Sequence, residues 1–159
     1  MQATYGGQNK GVVGEDECAE SISHLRELKL SELPNLMYLT EESSQLLPHE
    51  YSTSFQHLEI LEVLGCGSLK KLVSSSISFR NLRNLTVSRC HGMLNFLTST
   101  TAKTMTVLET MTISECKRMT EIIADVDHDN DADVEPDEIV FLRLEILELN
   151  CLQSLTNFY

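Results

Sequence analysis

Phe79-Arg-Asn-Leu82-Arg-Asn-Leu85-Thr-Val87-Ser-Arg-Cys90-His-Gly-Met93-Leu-Asn-Phe96 decides the architecture. Its apolar positions fall three, three, two, three, three and three residues apart. A strand would alternate by two, and an amphipathic helix would step by three and four. The spacing fits a short strand centred on Leu85 to Val87 that enters a tight turn and returns through an irregular segment.

The same spacing recurs from four other origins besides Leu82, namely Leu25, Leu58, Leu108 and Leu144. Three residues after each origin stand Leu28, Leu61, Leu85, Met111 and Leu147, and two further on Leu30, Val63, Val87, Ile113 and Leu149. Next comes a column of Leu33, Cys66, Cys90, Cys116 and Leu152, followed by two more apolar columns ending at Leu39, Leu72, Phe96, Ile122 and Phe158. Three residues before each origin lie Ile22, Phe55, Phe79, Met105 and Phe141. The unit reads F-x-x-L-x-x-L-x-L-x-x-C-x-x-L-x-x-L, the leucine-rich-repeat pattern. One such unit cannot bury its own apolar edge, but stacked units form a continuous core with one parallel strand from each. The expected fold is therefore α/β, a leucine-rich-repeat solenoid in an open horseshoe arc. Short parallel strands line its concave face, with loops and short helical turns on the convex face.

The expected organisation is a disordered lead-in over residues 1–21, where glycines cluster, and a repeat domain over 22–159. Its five repeats run about 22–39, 55–73, 79–97, 105–123 and 141–159, with inserts at 40–54 and 124–138. Gly65 and Gly67 flank Cys66 and suit the turn after the strand. A hydroxyl residue in 97–106 is placed to cap a short helix. No apolar run approaches the ~18 residues of a membrane span. The first residues lack the basic-then-apolar order of a signal peptide.

Charge is uneven. The chain carries −12 overall, yet residues 70–118 hold eight Lys or Arg against Glu109 and Glu115. That stretch reads as solvated faces or as a docking surface for an acidic partner. The overall negative charge and the pI of 4.7 argue against nucleic-acid binding. Residues 125–138 contain eight acids and no base. Residues 127–138 overlay a twelve-residue calcium loop, but Ala132 stands where the sharp turn requires Gly, and the flanks are not paired helices. A loop between repeats is the simpler reading. Five cysteines, three of them in one column, read as buried thiols rather than a closed disulfide framework. A zinc site from that column with His91 would need ligands from three repeats and has no C-x-x-C pair.

No catalytic constellation is present: there is no G-x-S-x-G, no H-E-x-x-H and no phosphate loop. No cofactor or metal is expected, and the chain reads as non-enzymatic. The period of two in each strand turns one set of side chains outward. These are Glu27, Lys29, Ser31; Ile60, Glu62, Leu64; Asn84, Thr86, Ser88; Thr110, Thr112, Ser114; and Ile146, Glu148, Asn150. They form the candidate partner surface, polar in the middle, with Ile60, Leu64 and Ile146 as apolar contacts.

Several motifs resemble plant intracellular disease-resistance receptors of the coiled-coil, nucleotide-binding, leucine-rich-repeat class. They are S-F-R-N-L-R-N-L-T-V-S-R-C at 78–90, the run from S-T-T-A-K at 99 to E-I-I-A ending at 124, L-K-L-S-E-L-P-N-L at 28–36, and the acidic insert closing with D-E-I-V-F at 137–141. The resemblance is to the C-terminal repeats of that class and covers about 22–159. Phe141-Leu142 departs from the family's usual Phe-Pro, which leaves the start of repeat five open to a different geometry. The resemblance implies a cytoplasmic sensor or autoinhibitory region that contacts pathogen-derived or host proteins and the receptor's own nucleotide-binding module. The hydropathy and the negative charge leave no membrane and no nucleic-acid partner expected. The last unit shows no polar cap, so the chain reads as a piece of a longer solenoid or as a truncated gene product. The rival readings are a substrate-adaptor repeat protein of a ubiquitin ligase and a calcium-responsive protein using the acidic insert.

Overall fold

The computed structural model describes residues 2–6, 24–39, 55–72, 77–124 and 139–158, the first group by its backbone alone. The described strands are β1 (Gln2–Gly6), β2 (Glu27–Ser31), β3 (Ile60–Leu64), β4 (Asn84–Ser88), β5 (Asn95–Thr98), β6 (Thr110–Ser114), β7 (Glu121–Ala124) and β8 (Ile146–Asn150). One short helix, α1 (Ser99–Lys103), lies between β5 and β6. Six strands form one parallel sheet in the order β1-β2-β3-β4-β6-β8, and β5 and β7 form a second parallel pair. Among the described residues no helix is long and apolar enough to cross a membrane.

The repeat columns become register. Leu28, Leu61, Leu85, Met111 and Leu147 are successive partners across the sheet, as are Leu30, Val63, Val87, Ile113 and Leu149. In β2, β3, β4 and β6 these two columns are buried, while the residues between them stay accessible. β8 is an edge strand, and there the pattern opens. Leu147 is 45% exposed, against 5% or less for its partners in the column.

Each unit is built by the same hydrogen bonds. A turn opens it, with Leu58 N–H donating to the Phe55 carbonyl and Leu82, Leu108 and Leu144 doing the same to Phe79, Met105 and Phe141. The Phe141 turn is therefore of the same kind as its counterparts, and Leu142 beside it is exposed. The strand then ends in a residue with positive φ: Glu32, Gly65, Arg89, Glu115 and Cys151, at +53° to +65°. That left-handed residue bends the chain out of the sheet. The amide of each of the first four donates to the last carbonyl of the next strand, at 2.8–3.1 Å. Only one of the five is glycine, so four units adopt a conformation that costs about 1–2 kcal/mol for an L-residue. In the Glu32, Arg89 and Glu115 units the continued ladder offsets it, joined in the last two by the buried cysteine that follows.

That buried side chain is the cysteine column. Sγ of Cys66, Cys90 and Cys116 donates to the carbonyls of Leu64, Ser88 and Ser114, at 3.4–3.6 Å, so each of these oxygens takes a thiol as well as the ladder amide of the preceding unit. A second turn follows in every unit, for example Leu69 N–H to the Cys66 carbonyl at 3.1 Å.

Two expectations change. Gln2–Gly6 is not a disordered lead-in: it pairs parallel with β2, with Ala3 opposite Leu28 and Tyr5 opposite Leu30. The free edge of β2 offers a row of backbone donors and acceptors that an extended segment satisfies without the rest of the apolar pattern. The remainder of 1–21 lies outside the described residues, as does the insert at 40–54 and all but Ala124 of the insert at 124–138. On the opposite side, 95–103 is more ordered than loops and turns. β5 carries Phe96 and Leu97, both buried, because α1 packs over β5 and β7 and covers the face that Phe96 does not use. The helix cap is Thr98, whose Oγ1 accepts from Thr101 N–H at 3.2 Å.

Candidate functional site

All fifteen outward residues lie on one face of the six-stranded sheet, in three rows that follow the strand register. The first row is Glu27, Ile60, Asn84, Thr110 and Ile146. The middle row is Lys29, Glu62, Thr86, Thr112 and Glu148. The last is Ser31, Leu64, Ser88, Ser114 and Asn150. From β2 to β6 all are half-buried except Asn84, which is exposed. Those on β8 are exposed.

The rows are organised by charge at one end and hydroxyls in the middle. Lys29 Nζ lies 2.9 Å from Glu27 and 3.4 Å from Glu62. Hydrogen bonds and charge from Glu27 and then Glu62 hold the Lys29 ammonium above its usual value. Its folded value lies above its unfolded one, so this clamp is present through neutral pH and is lost only as pH rises past the raised value. Further along, Ser114 Oγ donates to Ser88 Oγ at 2.9 Å. Thr86 and Thr112 sit side by side between the two glutamates of their row. Ile60 and Leu64 bracket Glu62 on β3, so the polar face carries an apolar pair beside its charged cluster.

Two flanking rows of ion pairs border the face. Before the strands, Arg26 pairs with Glu59 at 3.2 Å, and Arg83 pairs with Glu109. After them, Arg89 pairs with Glu32 at 3.4 Å across the intervening unit. That reach is open because the intervening residue is Gly65. A Cβ there would come within 2.6 Å of the Glu32 carboxylate. Sequence reasoning did not find these borders. The available signal was the series Arg26, Glu59, Arg83, Glu109 at one repeat position, which places opposite charges on adjacent strands.

The cysteine column is part of the core. Among the described residues no three His, Cys, Asp or Glu side chains converge on a point that would hold a metal. A hydrogen bond with Cys66, and then burial, push the Cys90 thiol well above its usual value, and burial raises Cys116. Thiol alkylation checks this reading. In the folded chain, Cys66, Cys90 and Cys116 resist iodoacetamide while Cys151, which is exposed, is modified. Peptide mass mapping showing column cysteines modified as fast as Cys151 would contradict the buried assignment. His24 and His57 stack at the surface, with ring centroids 5.9 Å apart. His91 is half-buried with its Nδ1 enclosed and unpartnered. The candidate calcium segment, 127–138, lies outside the described residues.

The family described as "Plant disease resistance protein RPS2-like, leucine-rich repeats" matches this chain over residues 4–78 and 71–159. The match begins inside β1, so it includes the strand that lacks most of the apolar pattern. A search of curated proteins and a search of solved structures returned no match. Repeat columns, parallel register and a family match spanning nearly every residue agree, and the chain belongs to the RPS2-like leucine-rich repeats of plant disease resistance proteins.

Proposed function

We propose that this chain is a non-enzymatic protein-recognition module of a plant immune receptor. The open face of its main sheet is the partner surface. The observation that carries the reading is the alignment of fifteen outward side chains into three rows on one accessible face. Such a surface offers many shallow polar contacts and a few apolar ones, which suits a folded protein better than a small molecule. In this reading the array curves as an open horseshoe with that face concave. The chain acts in the cytoplasm as the sensor or autoinhibitory region, engaging a pathogen-derived or host protein or the receptor's own nucleotide-binding module. The family match favours this over a ubiquitin-ligase adaptor.

Proximity labelling in leaf tissue tests it. The double variant Thr86→Arg/Thr112→Arg places two large cations at the centre of the face without touching the core. It is expected to lose the neighbours labelled by the wild-type chain by at least about tenfold while keeping its melting temperature within a few degrees. An unchanged set of neighbours would remove the face from the account.

A further inference from the structure

A second surface lies away from the sheet face, on the turn side of the stack. There a trough of about 380 Å³ crosses the first four leucine-rich units that follow β1. Its floor includes Gly67 and Gly92, Lys70 and Arg118 stand over it, and Asn35 and Met37 close one end. At Gly92 the floor is bare for a structural reason, whereas a Cβ on Gly67 would meet open space. A Cβ on Gly92 would come 2.6 Å from the Gly67 carbonyl oxygen and 3.1 Å from that of Leu69, so two units meet there backbone to backbone. No side chain can be added at that position to fill the trough without moving the main chain.

The two cations over this floor differ from Arg83 and Arg89 in the same basic stretch, though Lys71, Arg80 and Lys117 likewise form no ion pair among the described residues. Arg83 and Arg89 are committed to Glu109 and Glu32. Lys70 and Arg118 are exposed and form no ion pair among the described residues. They sit on units two apart, about 10 Å at the usual inter-strand spacing. The trough as a whole spans about 14 Å by the same measure, the length of about four extended residues. Met37, at its end, is 42% exposed. Two unpaired cations over a narrow floor of Gly67, Ser68 and Gly92 complement carboxylates on an extended chain.

We propose that this trough docks an extended acidic segment of a partner protein. Two of its carboxylates meet Lys70 and Arg118, and an apolar side chain follows onto Met37. The surface is separate from the sheet face and does not depend on what that face binds.

The test uses the full chain and a short fluorescein-labelled peptide of alternating aspartate and glutamate ending in leucine, followed by anisotropy. Binding is expected to fall about tenfold in Lys70→Gln/Arg118→Gln and to weaken as salt is raised. It is expected to be unchanged in Arg80→Gln, a cation of the same stretch that does not line the trough. The matched peptide of asparagine and glutamine should bind at least about tenfold more weakly. Equal affinity for the Lys70/Arg118 double variant, equal affinity for the amide peptide, or no binding of the acidic peptide would overturn the proposal. So would tighter binding of a short single-stranded oligonucleotide at the same two residues, which would assign the trough to nucleic acid.

Discussion

Leu85→Asp is expected to abolish the cooperative unfolding transition of this chain, while Thr86→Asp, one residue along the same strand, is expected to leave it in place. Leu85 is fully buried in the centre of β4, and its register partners Leu61 and Met111 are fully buried on either side. Removing a buried leucine costs about 2–5 kcal/mol, and leaving an unpaired carboxylate in its place adds several more. The sum is comparable with the ~5–15 kcal/mol that a domain of this kind has in total. Damage also spreads, because each unit of a solenoid is stabilised by its neighbours. Thr86 points to the open face and has Glu62 and Thr112 as partners, so an aspartate there meets one like charge at a cost of less than about 1 kcal/mol. Circular dichroism melts distinguish the two. Equal shifts would mean that the register is wrong by one residue.

Phe79→Ala has the next largest effect, a loss of about 3–5 kcal/mol. Phe79 has no exposed surface and stacks on Phe55 with ring centroids 5.8 Å apart. Its amide donates to Thr104 Oγ1 at 2.9 Å, and that hydroxyl donates to the Thr101 carbonyl at 2.7 Å. The aromatic ring thus fills the space between two units, while its backbone anchors the end of α1. Collapse into the cavity is restrained from both directions, which places the cost toward the upper part of the range. Urea unfolding should show the midpoint falling sharply, with Arg80→Ala, exposed beside it, within about 0.5 kcal/mol of wild type. A loss below about 1 kcal/mol for Phe79→Ala would show that the column is not packed as described.

The sheet was legible because five units repeat the same apolar columns, and a period of two within a known strand fixes which side chains face out. That is why Glu27 through Asn150 could be assigned to one face from spacing alone. β1 was not legible, since Ala3 and Tyr5 match two inward register positions and nothing in 7–21 restores the other columns. The left-handed residue that closes each strand was hidden for a different reason. Its usual signal is glycine, and Glu32, Arg89, Glu115 and Cys151 adopt it without that signal; in the first three the amide carries a ladder bond to the next strand. β5 and β7 escaped because Phe96-Leu97 and Ile122-Ile123 do not alternate, the outer residue of each being covered by α1 rather than exposed. The ion pairs that border the face depend on side-chain reach across units, as with Glu32 and Arg89 over Gly65, and no spacing within one unit reveals them.

The central claim is a parallel repeat stack whose register places Glu62, Thr86 and Thr112 side by side on the open face and Val63, Val87 and Ile113 beneath them. Nuclear Overhauser contacts in isotope-labelled protein measure this directly. The account predicts cross-strand contacts from the backbone of Thr86 to Glu62 and to Thr112, and methyl contacts from Val87 to both Val63 and Ile113. Thr86 contacts running instead to the Ile113 methyls, or no contacts between β4 and β6, would contradict it.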